Sequence, residues 1–426
     1  MKIAVVGAGI TGLATALRLH AAGLQCVVFE AVASPAPLGV GINLLPHAMC
    51  ELTELGLLPA LRSAGVEIEE LVYLTKHGKR IWHEPRGLAA GYQWPQIAIH
   101  RGELQMLLLR AVQDRLGPDA VRFDHSLSAV QIKPDGVIAQ FVDRTGGAIP
   151  PPYHADVLAA ADGINSAMRR QFYPNEGLPK WNGVTLWRST SRTSRLLSGR
   201  SMLWAGHARQ KFVAYPIRYD AQTGETLLNW ICELKTVGDA KIPPREDWNR
   251  IGERSDILPH FQNWRWAGVD VPQHVASSGE IYAFPMVDRD PLPRWTHGRA
   301  TLLGDAAHPM YPIGSNGATQ GIIDASAFAF HLASTQSIDE ALVRYEADRR
   351  PATERIVRMN RANGPDQVME LAEQRAPNIE DDLDLLLPMK ERRAIADEYK
   401  RIAGFDPRSL GSRTRYRIGP SRASSI

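Results

Sequence analysis

Residues 1–30 read MKIAVVGAGITGLATALRLHAAGLQCVVFE, and this stretch decides the fold. Ile3–Val6 is a short apolar run of the kind buried in a parallel sheet. Gly7-Ala8-Gly9-Ile10-Thr11-Gly12 follows at once, then Leu13, Ala14, Ala16, Leu17 and Leu19 at helical spacing, with Gly23 where such a helix ends. Cys26 to Phe29 is a second strand, closed by Glu30. Gly7 permits the tight turn, Gly9 lets backbone approach a pyrophosphate, and Gly12 lets the helix lie close to the strand. The helix N-terminus offers free N–H groups and a positive dipole end. Glu30 stands eighteen residues after Gly12, where a carboxylate reaches ribose hydroxyls. The stretch reads as the opening βαβ unit of a dinucleotide-binding domain, against the alternative of a glycine-rich turn without a ligand.

Working outward, 426 residues exceed one ordinary core, so two domains are expected. A composition of 44% hydrophobic and 22% charged residues is ordinary for a soluble globular chain. The net charge of +3, with no Lys/Arg run, gives no footprint for nucleic acid. Cys26, Cys50 and Cys232 are scattered without ligand spacing, so neither a metal site nor a disulfide framework is expected, and a reducing cytoplasm fits. The strand at the very start leaves no room for a signal peptide, and no apolar run reaches membrane-span length.

Gly39, Gly41 and Asn43 suggest backbone held close to a ligand, and His47 to Leu55 reads as a helix ended by Gly56. Residues 68–98 read as short strands with a hairpin tip at Gly78-Lys79. Arg101 falls at the start of a helix running to about Arg115, where it serves either a ligand or a surface pair with Glu103. Leu127 to Ile132 and Gly136 to Val142 form a meander, Gly146 to Pro152 reads as a turn, and Val157 to Ala161 is a buried strand running into Asp162-Gly163. From 181 to 295 the composition shifts: eight of the ten tryptophans lie here, in alternating runs that read as a mostly antiparallel β domain. As a group those aromatics suit a flat aromatic substrate, although singly each serves a core as well. Arg299 to Gly304 is another buried strand, followed by Asp305, the loop Pro312 to Gly317, and a helix beginning about Gly317-Ala318. A further helix covers about Ile338 to Asn360, which Pro351 kinks or splits. Residues 365–404 look helical, and the Ser/Arg/Gly-rich end looks mobile.

Three separated motifs now form one pattern: Gly7-Ala8-Gly9-Ile10-Thr11-Gly12 with Glu30, Asp162-Gly163, and Gly304-Asp305. Together they resemble the class A flavoprotein monooxygenases, the para-hydroxybenzoate hydroxylase-like family, from residue 1 to about 360. Pro37 to Asn43, Ile99 to Met106 and Phe284 to Pro293 resemble the phenazine-modifying members of that family. The resemblance implies an α/β fold: a Rossmann-like FAD-binding domain of parallel sheet plus β-meander, a second β substrate domain, and a C-terminal helical segment. The boundaries expected are 1–180 for the first part of the FAD domain, 181–295 for the substrate domain, 296–360 for the closing part, and 361–426 for the helical segment and tail. It implies FAD as cofactor, NADPH or NADH as transient electron donor, O₂ as co-substrate, and a flavin C4a-hydroperoxide as oxygenating species. Glu30 would hold the adenosine ribose, Leu127 the adenine through its backbone, and Arg101 the pyrophosphate. Asp305 would bind the ribityl chain, and Asp162-Gly163 would serve FAD and the pyridine nucleotide. Pro312 and Gly314 would pass beside the flavin ring, with the next helix aiming its N-terminus at the pyrimidine. Ala31 departs from the basic residue common in relatives.

No side chain is assigned as catalytic, since the chemistry belongs to the cofactor. Tyr215, Pro312, Trp187 and Arg188 are the candidate substrate residues. The expected activity is hydroxylation of a planar aromatic, with or without loss of CO₂, by a monomer or homodimer without nucleic-acid or integral membrane partners. Two alternatives stand beside it: a flavin halogenase, reductase or oxidase on the same fold, and a non-catalytic GDI-like binding protein. Trp264-Arg265-Trp266 partly mimics a halogenase motif, but Ala267-Gly268-Val269 departs from it.

Overall fold

The computed structural model describes residues 1–194, 196–235, 250–266, 268–408, 410–411 and 414–417; Trp248, Ala267 and most of the tail expected to be mobile lie outside them. Ile3–Val6 forms the middle of a five-stranded parallel sheet. Its order is Ala300–Leu302, Val157–Ala160, Ile3–Val6, Cys26–Phe29 and Val121–Arg122. The two inner strands IAVV and VLAA are buried on both faces, as continuous apolar runs require. The helix Ile10–Ala21 packs on this sheet, and the helix Gly317–Ser334 packs on that helix. A Cβ on Gly321 would stand 2.1 Å from the Thr11 hydroxyl, so the two helices meet nearly backbone to backbone.

A second, seven-stranded sheet runs Tyr282–Asp288, Lys180–Thr193, Thr226–Lys235, Gln210–Tyr219, Ser201–His207, Glu70–Leu74, Arg80–Pro85. All its pairings are antiparallel except that of Ser201–His207 with Glu70–Leu74. The hairpin at Gly78 is therefore part of this sheet. The meander is three-stranded, and its third strand Ala148–Ala155 runs through the prolines expected in a turn. It is an edge strand, where a missing N–H costs no ladder bond. Pro351 likewise lies inside one uninterrupted helix, Ile338–Arg361.

The C-terminal helix Met389–Ala403 packs back on the molecule. Arg392, 2% exposed, donates to the carbonyls of Ile81, Leu383 and Leu387, and Lys400 pairs with Glu84 at 2.6 Å. Part of the tail is anchored too: Tyr416 is buried and donates to Asp348 at 2.8 Å, which corrects the expectation of mobility for residues 414–417. Among the described residues no helix is long and apolar enough to cross a membrane, and no cluster of ligating side chains could hold a metal.

Candidate active site

At the C-terminal edge of the parallel sheet, the glycine turn divides its labour. Gly7 has φ +97°, and a Cβ there would stand 2.4 Å from the Ala161 carbonyl oxygen. A Cβ on Gly12 would stand 1.8 Å from the Gly7 oxygen. Both positions are glycine because turn and helix are pressed together. Gly9 is different. Its φ of −73° is ordinary, and a Cβ would meet no protein atom within 4 Å. Open groove lies over it, and the N-terminus of Ile10–Ala21 has no side-chain cap.

Gly7, Gly9, Glu30, Leu127, Asp162 and Gly163 line this groove. Glu30 accepts from the backbone N–H of Ala8 at 2.6 Å and Val32 at 2.9 Å, which fixes its carboxylate at the strand end. Asp162 accepts from the Ala167 N–H at 2.8 Å through Oδ2, while its buried Oδ1 has no hydrogen-bond partner among the described residues. Burial pushes the Asp162 carboxyl up. A space that a methyl group would fill, an orphaned acceptor and an uncapped helix end together fit a pyrophosphate-linked dinucleotide such as FAD. Ala8, Ile10, Thr11 and Gly12 do not line the groove; they form the turn behind it. Arg170 and Gln105 do line it, and Gln105 donates to the Ala8 carbonyl at 2.9 Å. Arg170 places a cation on the groove that carries Ala31.

Arg101 lines both this groove and a second cavity, joining them. The second cavity lies between the loop after Asp305 and one face of the seven-stranded sheet. Strand pairing sets that face: Leu186 and Lys211 both lie opposite Glu233, Arg188 and Val213 both lie opposite Ile231, and Tyr215 lies opposite Asn229. Arg188, Tyr215 and Pro312 therefore come together in one cavity. Arg188 donates to the Gly41 carbonyl at 2.7 Å, and its guanidinium lies 5.9 Å from the Phe284 ring centroid. Burial raises the Tyr215 hydroxyl, against the opposing pull of Arg188. Gly41 lines the cavity, but its N–H is taken by Asn229 at 2.7 Å, and a Cβ would strike that side chain at the same distance.

Trp187 is corrected. It pairs with Cys232 on the opposite face of the sheet and packs with the cluster of Phe212, Trp230 and Phe261, outside the cavity. Trp264 and Trp266 belong to that same remote cluster, so the halogenase-like stretch does not face the cavity. Gly304 is also set back. With φ +57° it accommodates Thr11, whose hydroxyl would lie 2.6 Å from a Cβ. Gly314, with φ +70°, turns away from the cavity toward Tyr399, which a Cβ would strike. Pro312, Ile313, Ser315, Gly317 and Ala318 are the parts of that loop and helix that line the cavity.

Asp305 lines the cavity with its side chain exposed there; the surrounding protein raises its carboxyl by desolvation, against the pull of His308 and Arg101. Beneath it, Asp324 accepts from His308 at 2.5 Å, from Arg349 at 2.7 Å and from the Gly304 N–H at 3.0 Å. Burial alone would raise Asp324, but His308 and Arg349 outweigh it and hold the carboxyl at about 2. The network continues from Arg349 to Gln320 at 2.7 Å, from Gln320 to Asn316 at 3.1 Å, and from Asn316 to Tyr399 at 2.8 Å. His308 is thus a buried structural partner of Asp324, 3% exposed.

Sequence reading missed Lys211, Glu233 and Asp366, which close the far end of the cavity. It also missed Tyr399, which props the loop from behind. All four act through contacts distant in sequence, and no local motif marks them.

The FAD binding domain family matches residues 1–360. The chain is 45% identical over 364 residues to a phenazine 1,6-dicarboxylic acid hydroxylase, PhzS, of Lysobacter antibioticus, covering 84% of this chain and 89% of the relative. It is 30% identical over 432 residues to the 3-amino-4-hydroxybenzoate 2-monooxygenase PtmB3 of Streptomyces platensis, covering 97% and 98%. Among solved structures, a salicylate hydroxylase substrate complex superposes with a TM-score of 0.74 at 22% identity, covering 99% of each chain. HpxO of Klebsiella pneumoniae, complexed with FAD and uric acid, gives 0.74 at 22% identity, covering 94% and 96%.

Proposed function

Because the chain belongs to the FAD binding domain family, we propose that it is an FAD-dependent monooxygenase that hydroxylates a planar aromatic or heteroaromatic molecule. The observation that carries this is continuity: the groove over Gly9 passes Arg101 into a cavity walled by Tyr215, Phe284, Trp204 and Pro312. Gly9 would hold the phosphates of a dinucleotide laid in that path, and the cavity would receive its redox end. When bound, FAD supplies the redox chemistry, accepting electrons from NADH or NADPH and using O₂ to place one oxygen atom on the substrate ring.

The protein's part is binding, orientation and exclusion of water. Gly9, Glu30, Leu127 and Asp162 hold the adenosine and pyrophosphate end. Asp305 would accept from the ribityl hydroxyls. The uncapped N-terminus of Gly317–Ser334 presents N–H groups and a positive dipole end to the ring, favouring negative charge there. On the sheet side, Tyr215 and Phe284 offer faces against which an aromatic ring is buried and stacked. Arg188, tied to Gly41 by one nitrogen, keeps a buried Nε without a partner among the described residues, and this suits an anionic substituent such as a carboxylate. The aromatic and aliphatic part of the wall would exclude water, favouring transfer of oxygen to the ring over its release as H₂O₂.

The test is to incubate the FAD-loaded protein with NADPH or NADH, adding phenazine-1,6-dicarboxylate, phenazine-1-carboxylate or 3-amino-4-hydroxybenzoate. Faster oxidation of the nicotinamide with a product carrying one added oxygen is expected, and product mass reports whether CO₂ leaves. Oxidation indifferent to every aromatic, or dependent on halide, refutes the reading.

A further inference from the structure

The far end of the cavity is built from three charged side chains on three separate elements. Lys211 on Gln210–Tyr219 and Glu233 on Thr226–Lys235 face each other across the ladder. Asp366 ends the short turn Gly364–Asp366 that closes the cavity, beyond the portion matched by the family. The Lys211 ammonium lies 2.5 Å from Asp366 Oδ2 and 3.0 Å from Glu233 Oε2. All three residues are more than nine-tenths buried: 4%, 8% and 7% exposed for Lys211, Glu233 and Asp366. Burial holds the Glu233 carboxyl above its ordinary range. Burial works against the Lys211 ammonium, but the two carboxylates outweigh it and keep the ammonium charged.

One valence is left over. Asp366 lines the cavity, and its Oδ1 is buried at the wall with no hydrogen-bond partner among the described residues. A buried carboxylate oxygen without a donor is costly, and native structures rarely keep one. Two carboxyl groups face one ammonium here, and two of its three donors are already taken, so what this end is short of is donors. One rung further along the same face stands Arg188, whose guanidinium is drawn away from this end to the carbonyl of Gly41, itself held at Asn229.

Resting on the hydroxylase reading above, we infer that Asp366 is a specificity-determining residue. Its free oxygen accepts a hydrogen bond from a hydroxyl, amino or ring N–H on the substrate, at the end away from Arg188. The substrate class is therefore a bipolar aromatic, anionic at one end and a hydrogen-bond donor at the other.

The experiment titrates the FAD-loaded enzyme, without nicotinamide, and follows flavin absorbance. The probes are phenazine-1-carboxylate, 6-hydroxyphenazine-1-carboxylate, 6-aminophenazine-1-carboxylate and phenazine-1,6-dicarboxylate. The hydroxy or amino probe should bind at least about tenfold tighter than the parent, the worth of one hydrogen bond to a charged acceptor. In Asp366→Ala this preference, the ratio of the parent's Kd to the donor probe's, should fall to near unity. Should that variant lose FAD, Asp366→Asn, with a neutral acceptor of the same shape, should reduce the preference at unchanged FAD content. Equal binding of parent and donor probes by the wild type overturns the inference, as does tightest binding of the dicarboxylate. If no aromatic perturbs the flavin, the cavity is not the substrate site, and the hydroxylase reading falls together with this one.

Discussion

Gly9→Ala adds one methyl group at the only glycine of the turn that the fold does not itself require. The backbone there is one that alanine adopts freely, and the new Cβ meets no protein atom within 4 Å. As a helix cap, alanine in place of glycine should cost no more than about 1 kcal/mol. The ligand sees something else. A phosphate oxygen accepting from the N–H groups at this helix end stands about 2.9 Å from nitrogen, which leaves no room for a methyl group beside it. FAD affinity should fall by more than about a hundredfold, some 2.7 kcal/mol. Gly12→Ala is the control. Its Cβ would stand 1.8 Å from the Gly7 oxygen, so it must push the helix off the strand. That should cost about 1–3 kcal/mol or more before any cofactor is added. Thermal melts of both apoproteins, with calorimetric titration of FAD, separate the two effects. Gly9→Ala should melt like wild type and bind FAD poorly; Gly12→Ala should do badly at both. Wild-type FAD affinity in Gly9→Ala, or an apoprotein as unstable as Gly12→Ala, refutes the reasoning.

Asp305→Ala should weaken FAD by roughly ten- to a hundredfold, as loss of hydrogen bonds to a charged acceptor implies, and an unchanged dissociation constant would remove it from the cofactor site. Tyr215→Ala should raise the substrate KM and divert nicotinamide oxidation to H₂O₂ at normal FAD content. Trp187→Phe should leave KM and coupling unchanged, because it lies on the other face; parallel effects in both variants would place the pocket elsewhere. His47 is buried, accepts from Gln320 at 3.3 Å and stacks on Phe405. Burial, then the charge of Arg349, hold it down at about 3 against an ordinary 6.5, so it stays neutral when folded while the unfolded chain takes up a proton. Its stabilisation is complete above pH 6.5 and is lost as pH falls toward 3, about 2 kcal/mol by pH 5. Melts of wild type and His47→Gln at pH 7.5 and 5 should show the smaller pH drop in the variant, and equal drops would count against it.

What the sequence made legible was local chemistry. The turn from Gly7 to Gly12, Glu30 at a strand end, Asp162 and Asp305 each sit in a short motif whose neighbours dictate the backbone. Side-chain direction in the second sheet was not legible. Lys180–Thr193 is covered on both faces, by the cavity and by the Trp230 cluster. It therefore lacks the polar and apolar alternation that tells one face from the other, and its pairing slips between Trp181 and Thr185. Trp187 and Arg188 looked equally placed, although a one-residue step decides which of them meets the substrate. Lys211 and Asp366 are 155 residues apart, and neither alone carries a signal.

The segment after residue 360 bears on how such enzymes can be cut and recombined. The match to the FAD binding domain family stops there, yet the chain does not. Asp366 closes the cavity, Tyr399 braces the loop at Gly314, and Arg392 is buried against the hairpin strand Arg80–Pro85. The recognisable module is therefore not a unit that stands alone: truncation at its end would unroof the cavity and unpair Lys211 from Asp366. A chimera joined at the same point would inherit one wall of its pocket from each parent. In such a recombinant the cofactor would be inherited with the N-terminal piece, while the shape of the substrate pocket would be decided jointly.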